Sequence, residues 1–154
     1  VVGVELFEPA AELARTRLDE VLVADVETLD ADTFSRPFDC VVCADILEHL
    51  RAPHRLLRVV REWLRPDGLV VAHLPNVAHH SVLRGLLGGS WRYAEHGILD
   101  SGHLRFFARS DIVELFTGAG FAIESLQASY PKRMLERFRT PGYDVVARSP
   151  AQRA

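Results

Sequence analysis

The chain has 154 residues, 48% hydrophobic and 25% charged, with a formal net charge of −3. Such a length and balance suit one globular domain with a real core, spanning 1–154, and argue against a disordered chain. The slight acidity offers nothing to a nucleic-acid backbone, and no apolar stretch approaches the roughly 20 residues that span a bilayer.

Val1 to Leu6 is a short apolar run carrying one acid, Glu5, and is expected to be a strand. Pro9 sits where the first turn of a helix tolerates proline. Ala10 to Leu18 continues as a helix with Leu13, Ala14 and Leu18 on one face. Val21 to Ala24 is a second strand closed by Asp25, and Thr28 to Pro37 is polar and irregular. Phe38 to Ala44 is a third strand, apolar on both faces, as expected of a strand covered by helices.

Ala52 to Leu64 repeats Leu56, Leu57, Val60 and Leu64 at helical spacing, with Arg51, Arg55, Arg58, Arg61 and Arg65 as its solvated face. Pro66-Asp67-Gly68 is a turn into a fourth strand, Leu69 to Leu74. His79 to Leu87 reads as a helix ending at Gly88-Gly89, whereas Trp91 to Phe107 has no period. Ser110 suits the N-cap of a helix from Asp111 to Thr117, closed by Gly118 or Gly120. Phe121 to Ala128 and Tyr143 to Arg148 read as two last strands. Between them runs a basic segment whose Lys132, Arg133, Arg137 and Arg139 read as solvated. This alternation predicts an α/β fold with a mostly parallel sheet.

Cys40 and Cys43 have the spacing of a redox pair or half a zinc site. On a strand, however, i and i+3 point to opposite faces. They are expected to be two buried strand thiols, reduced as in a cytoplasmic protein.

Parallel α/β sheets bind ligands past the carboxyl ends of their strands. Three such ends carry acids: Glu5, Asp25 and Asp45. One acid there can accept both hydroxyls of a ribose, and another the exocyclic amine of adenine, which outlines a nucleoside pocket. The surrounding text is Val2-Gly-Val-Glu-Leu-Phe-Glu-Pro9, Ala24-Asp-Val26, Phe38-Asp-Cys-Val-Val-Cys-Ala-Asp-Ile-Leu-Glu-His-Leu50 and Leu64-Arg-Pro-Asp-Gly-Leu-Val-Val71. It resembles class I S-adenosylmethionine-dependent methyltransferases of the small-molecule branch (types 11 and 23), over roughly Val1 to Phe121.

The resemblance implies a Rossmann-like methyltransferase sheet with an antiparallel C-terminal strand pair, and S-adenosylmethionine as cofactor. It implies that Glu5 binds the ribose diol, that Leu6 packs on the adenine face, and that Asp25 and the backbone of Val26 hold the adenine edge. Ala44 and Asp45 would line the methionine end. Pro75-Asn76 and Leu99-Asp-Ser-Gly-His-Leu-Arg-Phe-Phe107 resemble a subgroup found beside sugar and polysaccharide biosynthesis enzymes. In that subgroup this segment covers the active site and touches the acceptor. Ser101-Gly102 stands here where the subgroup commonly has Arg-Thr.

A sulfonium methyl is already activated, so the protein mainly positions and desolvates. A hydroxyl acceptor gains from a base near neutrality. His49, His80, His96 and His103 are candidates, and His49 and His103 are the two expected to be catalytic. Arg105 would pair with a carboxylate or phosphate on the acceptor. No metal is expected, because His79-His80 lacks an i, i+4 partner. The expected function is O-methylation of a small-molecule or sugar-type acceptor, with no nucleic acid or membrane partner. The alternatives are a non-catalytic domain of the same fold used in protein interaction, and a nicotinamide-dependent oxidoreductase.

Methyltransferases of this fold open with a strand and a G-x-G-x-G loop, where glycines let the backbone approach the cofactor. None of the ten glycines forms such a loop after a strand. Gly118-Ala-Gly120 follows a helix and reads as its end. A first strand and loop, on the order of 40 residues, are expected upstream of Val1. That strand would be central, so without it two inner sheet edges would be left unpaired.

Overall fold

The computed structural model describes residues 1–129 and 141–150. Lys132, Arg133, Arg137 and Arg139 lie outside the described residues. The chain divides into two compact units, Val1–Ser35 and Arg36–Ala154.

The first unit is a βαβ element: β1 (Val2–Glu5), α1 (Glu8–Arg15) and β2 (Glu20–Val23). The strands pair in parallel, Val2 opposite Glu20 and Glu5 opposite Val23. Pro9 occupies the first turn of α1, Glu8 faces the positive end of the helix dipole, and Arg15 closes the negative end. Arg15 also bridges Glu8 at 3.0 Å and Glu12 at 2.6 Å. The helix stops at Arg15 rather than Leu18, because Thr16 turns back with its hydroxyl donating to the Leu13 carbonyl at 2.7 Å. A Cβ at Gly3 would stand 2.6 Å from Leu18 Cδ1, so glycine lets the chain after α1 settle directly on β1. The polar stretch after β2 holds two 3₁₀ turns, Val26–Thr28 and Ala31–Thr33, opened by the side chains of Asp25 and Asp30.

The second unit contains β3 (Phe38–Ala44), α2 (Pro53–Trp63), β4 (Leu64–Pro75), α3 (His80–Leu87), α4 (Arg109–Gly118), β5 (Ala122–Ser129) and β6 (Gly142–Arg148). Its sheet runs in the order β3-β4-β6-β5. β3 and β4 are parallel, whereas β6 is antiparallel to both β4 and β5. This is the expected α/β sheet with its antiparallel C-terminal pair. Among the described residues β1 pairs only with β2, and β3 only with β4.

The core follows the two periods. Leu56, Leu57, Val60 and Trp63 of α2 are buried, as are Ile112 and Phe116 of α4. From the sheet come Val70, Ala72 and Leu74 of β4 and Val145 and Ala147 of β6, alternating by two. Each such Leu, Val or Phe contributes about 1.5–3 kcal/mol on burial. β4 lies between two strands and is buried along most of its length.

Four local expectations change. The face of β3 that carries Cys40, Val42 and Ala44 is exposed, with Val42 at 68%, whereas Cys43 on the opposite face is buried. Burial pushes the Cys43 thiol up to about 12, with Cys40 adding to the effect. Leu64 begins β4 instead of ending α2. The register jumps from Phe38 opposite Leu64 to Cys40 opposite Leu69, so the Pro66–Gly68 turn bulges out of the strand, with Asp67 at φ 63°. Ser110 lies inside α4, which starts at Arg109; the Asp111 carboxylate accepts the Ala108 N–H at 2.8 Å and caps the end.

Candidate active site

In the first unit the parallel register brings Glu5 and Asp25 to the same carboxyl end of β1 and β2; the Ala24 N–H donates to the Glu5 carbonyl at 3.0 Å. Oε1 of Glu5 accepts the Phe7 N–H at 2.8 Å, which fixes the carboxylate just past the strand. Leu6 and Phe7, 69% and 65% exposed, set apolar surface beside it. Oδ1 of Asp25 accepts the Glu27 N–H at 2.9 Å, which starts the turn holding Val26. Two anchored acids with an exposed apolar flank suit a nucleoside, whose sugar offers donors and whose base offers a flat face.

In the second unit Ala44 ends β3, opposite His73 on β4. Asp45 follows at φ 51°, a left-handed conformation that Asp tolerates better than most residues. There its carboxylate accepts from Nδ1 of the buried His73 at 2.6 Å. That bend turns the chain into a 3₁₀ turn, Leu47–His49, whose Leu47 and Glu48 are buried.

The segment after α3 closes over this turn. The Leu104 and Arg105 amides both donate to the Glu48 carbonyl, at 2.8 and 2.9 Å. Nδ1 of His49 donates to the Gly102 carbonyl at 3.0 Å, and Nδ1 of His103 to the Ile98 carbonyl at 3.0 Å. Because a carbonyl only accepts, both imidazoles carry a proton on Nδ1, so that in the neutral ring the lone pair is on Nε2. The two rings meet edge to face at 4.8 Å. A Cβ at Gly102 would stand 3.4 Å from His49 Nδ1 and 3.2 Å from Asp100 Oδ1, so the Ser101-Gly102 departure falls where this loop touches His49.

Asp45, Glu48, His49, Pro75, His96 and His103 are among the residues around a cavity of about 210 Å³. Glu48 is 1% exposed, and neither carboxylate oxygen reaches a hydrogen-bond partner. Burial pushes its carboxyl up to about 7, opposed in part by its own backbone N–H, and the nearby Asp45 charge adds to the rise. The structure thus unites His49, His103 and Asp45 around one cavity and adds Glu48, which sequence reasoning missed. Its signal was weak: one acid between Leu47 and Leu50, both buried.

Of the remaining candidates, His96 borders this cavity, whereas His80 and Arg105 are not among its lining residues. Arg105 donates to the Arg51 carbonyl at 2.6 Å. His80 opens α3, its ring 4.1 Å from that of His79. The His96 side chain is 82% exposed, 4.0 Å from Asp100. No helix of the described residues is long and apolar enough to cross a membrane.

Comparison with known proteins bears on the family and the fold. A family model described as a methyltransferase domain matches residues 1–126. Ubiquinone biosynthesis O-methyltransferase of Idiomarina loihiensis is 30% identical over 131 residues; the match covers 77% of this chain and 51%, about half, of that protein. An S-adenosylmethionine-dependent methyltransferase from Mesorhizobium loti superposes with a TM-score of 0.68 at 19% identity, over 96% of this chain and 79% of that one. Magnesium protoporphyrin IX methyltransferase from Synechocystis PCC 6803, solved with bound SAH, gives 0.66 at 14% identity, over 96% and 63%. These two likenesses concern the fold; the family match spans most of the sequence, and the chain belongs to the methyltransferase domain family.

Proposed function

We propose that this domain transfers a methyl group from S-adenosylmethionine to a hydroxyl of a small-molecule or sugar-type acceptor. The observation that carries the reading is the pair of anchored acids, Glu5 and Asp25, at the carboxyl ends of parallel strands beside exposed Leu6. Within the first unit Glu5 takes the ribose hydroxyls, Leu6 the adenine face, and Asp25 with the Val26 backbone the adenine edge. Within the second unit Ala44 and Asp45 serve the methionine end.

When bound, the sulfonium supplies an activated methyl group for in-line displacement. The chain's own task is then to orient the acceptor and remove its proton. The Nε2 lone pairs of His49 and His103 suit that removal, since their Nδ1 protons are held by backbone carbonyls. Arg105, steadied by the Arg51 carbonyl, has further guanidinium N–H groups for an anionic group on the acceptor. The oxygen specificity draws support from the Idiomarina relative, which is named an O-methyltransferase.

The test is calorimetry with S-adenosylmethionine on this chain and on a form extended upstream of Val1, followed by transfer of labelled methyl to hydroxylated acceptors. Saturable binding and label on oxygen are expected. A folded, extended chain that gives no heat overturns the reading, and a gain of NADH fluorescence on mixing would favour the oxidoreductase alternative.

A further inference from the structure

Glu48 poses the sharpest chemical question in the second unit. Its carboxylate is buried, and both oxygens are without a hydrogen-bond partner. Buried carboxylates are ordinarily paired, protonated or bound to a metal. Nε2 of His103 stands 3.9 Å from Oε1, too far for a hydrogen bond. In the neutral ring that nitrogen holds the lone pair, because Nδ1 of His103 donates to the Ile98 carbonyl. His49 is arranged the same way, with Nδ1 donating to the Gly102 carbonyl.

Two imidazoles whose Nδ1–H groups are tied to backbone carbonyls, with Nε2 left bare, form the arrangement that metal-binding histidines adopt. Potential ligand atoms of Glu48, His49 and His103 all lie within 4.8 Å of one another. Two ligands across one ion stand at most about 4.2 Å apart, twice a ~2.1 Å bond. The Glu48–His103 distance of 3.9 Å therefore fits as it stands. The widest separation needs a side-chain adjustment of several tenths of an ångström. Asp45 and Asp100 line the same cavity and favour positive charge there.

We propose that Glu48, His49 and His103 bind a first-row divalent cation. One carboxylate and two imidazoles select such ions over calcium or magnesium, which prefer oxygen ligands throughout. Three protein ligands also leave coordination positions open to the cavity. An acceptor hydroxyl bound there would lose its proton more readily, so coordination would replace the bare imidazoles as the means of activation. That role rests on the methyl-transfer reading; the binding of the ion does not.

Titration of tag-free protein with cobalt(II) chloride, followed by visible absorption, tests the site, since imidazole ligation of cobalt gives a coloured complex. One equivalent per chain is expected. Glu48→Gln and His103→Gln should each weaken binding at least tenfold with an unchanged far-ultraviolet circular dichroism spectrum, whereas His54→Gln, at an exposed position of α2, should leave it intact. No colour with folded protein, or unchanged titrations in both Glu48→Gln and His103→Gln, overturns the proposal. Calorimetry with S-adenosylmethionine on the same samples separates the two readings: cobalt bound without the cofactor retains the metal site alone, and the reverse retains methyl transfer alone.

Discussion

Glu48→Gln removes a titratable group while keeping its shape, in a place where burial has raised the carboxyl from 4.5 to about 7. In the folded protein Glu48 holds its proton to higher pH than in the unfolded chain. Its contribution to stability is therefore fully present below pH 4.5 and is lost as pH rises through 7. At about 1.4 kcal/mol for each pH unit, the loss amounts to ~3 kcal/mol. The Gln variant has nothing to lose over this range. Its stability relative to the parent should grow by ~3 kcal/mol between pH 4.5 and pH 8, which for a chain of this size is about 6–12 °C in Tm. The assay is thermal unfolding of both proteins across that range, with EDTA present so that no cation stabilises the ionised carboxylate. Groups common to both proteins cancel in the difference. Parallel pH profiles would refute the reasoning and mean that Glu48 is solvated or paired.

Glu5→Ala should weaken S-adenosylmethionine binding more than tenfold in calorimetry, and an unchanged affinity removes Glu5 from the site. Phe116→Ala, at a fully buried position, should cost about 3–5 kcal/mol in denaturant unfolding; a loss below 1 kcal/mol would mean that α4 is not packed into the core. Alkylation at pH 8 should label exposed Cys40 and spare buried Cys43 until the protein unfolds, and equal labelling by mass spectrometry would contradict the one-sided burial of β3.

Much of this fold was legible in the sequence. The 3.6-residue repeat of Leu56, Leu57 and Val60 and the alternation of Val70, Ala72 and Leu74 are local patterns, and each marks the face that is buried. Where local pattern failed, the neighbours decided. Phe38 to Ala44 is apolar on both faces, yet the face carrying Cys40, Val42 and Ala44 is exposed, because burial of a face depends on what packs over it and not on its own residues. Ser110 has the chemistry of an N-cap, but α4 starts at Arg109 and Asp111 caps it.

The candidate site divides in the same way. Glu5, Asp25 and Asp45 could be read from the sequence, because a strand end and an acid are both local features. Nothing local joins His49 to His103, which stand 54 positions apart. Only the tertiary structure brings the 102–105 segment onto the Leu47–His49 turn, through the Glu48 carbonyl and the two histidine–carbonyl bonds. The state of Glu48 likewise belongs to the fold, since a carboxyl is raised toward neutrality by the loss of water around it and not by its neighbours in sequence.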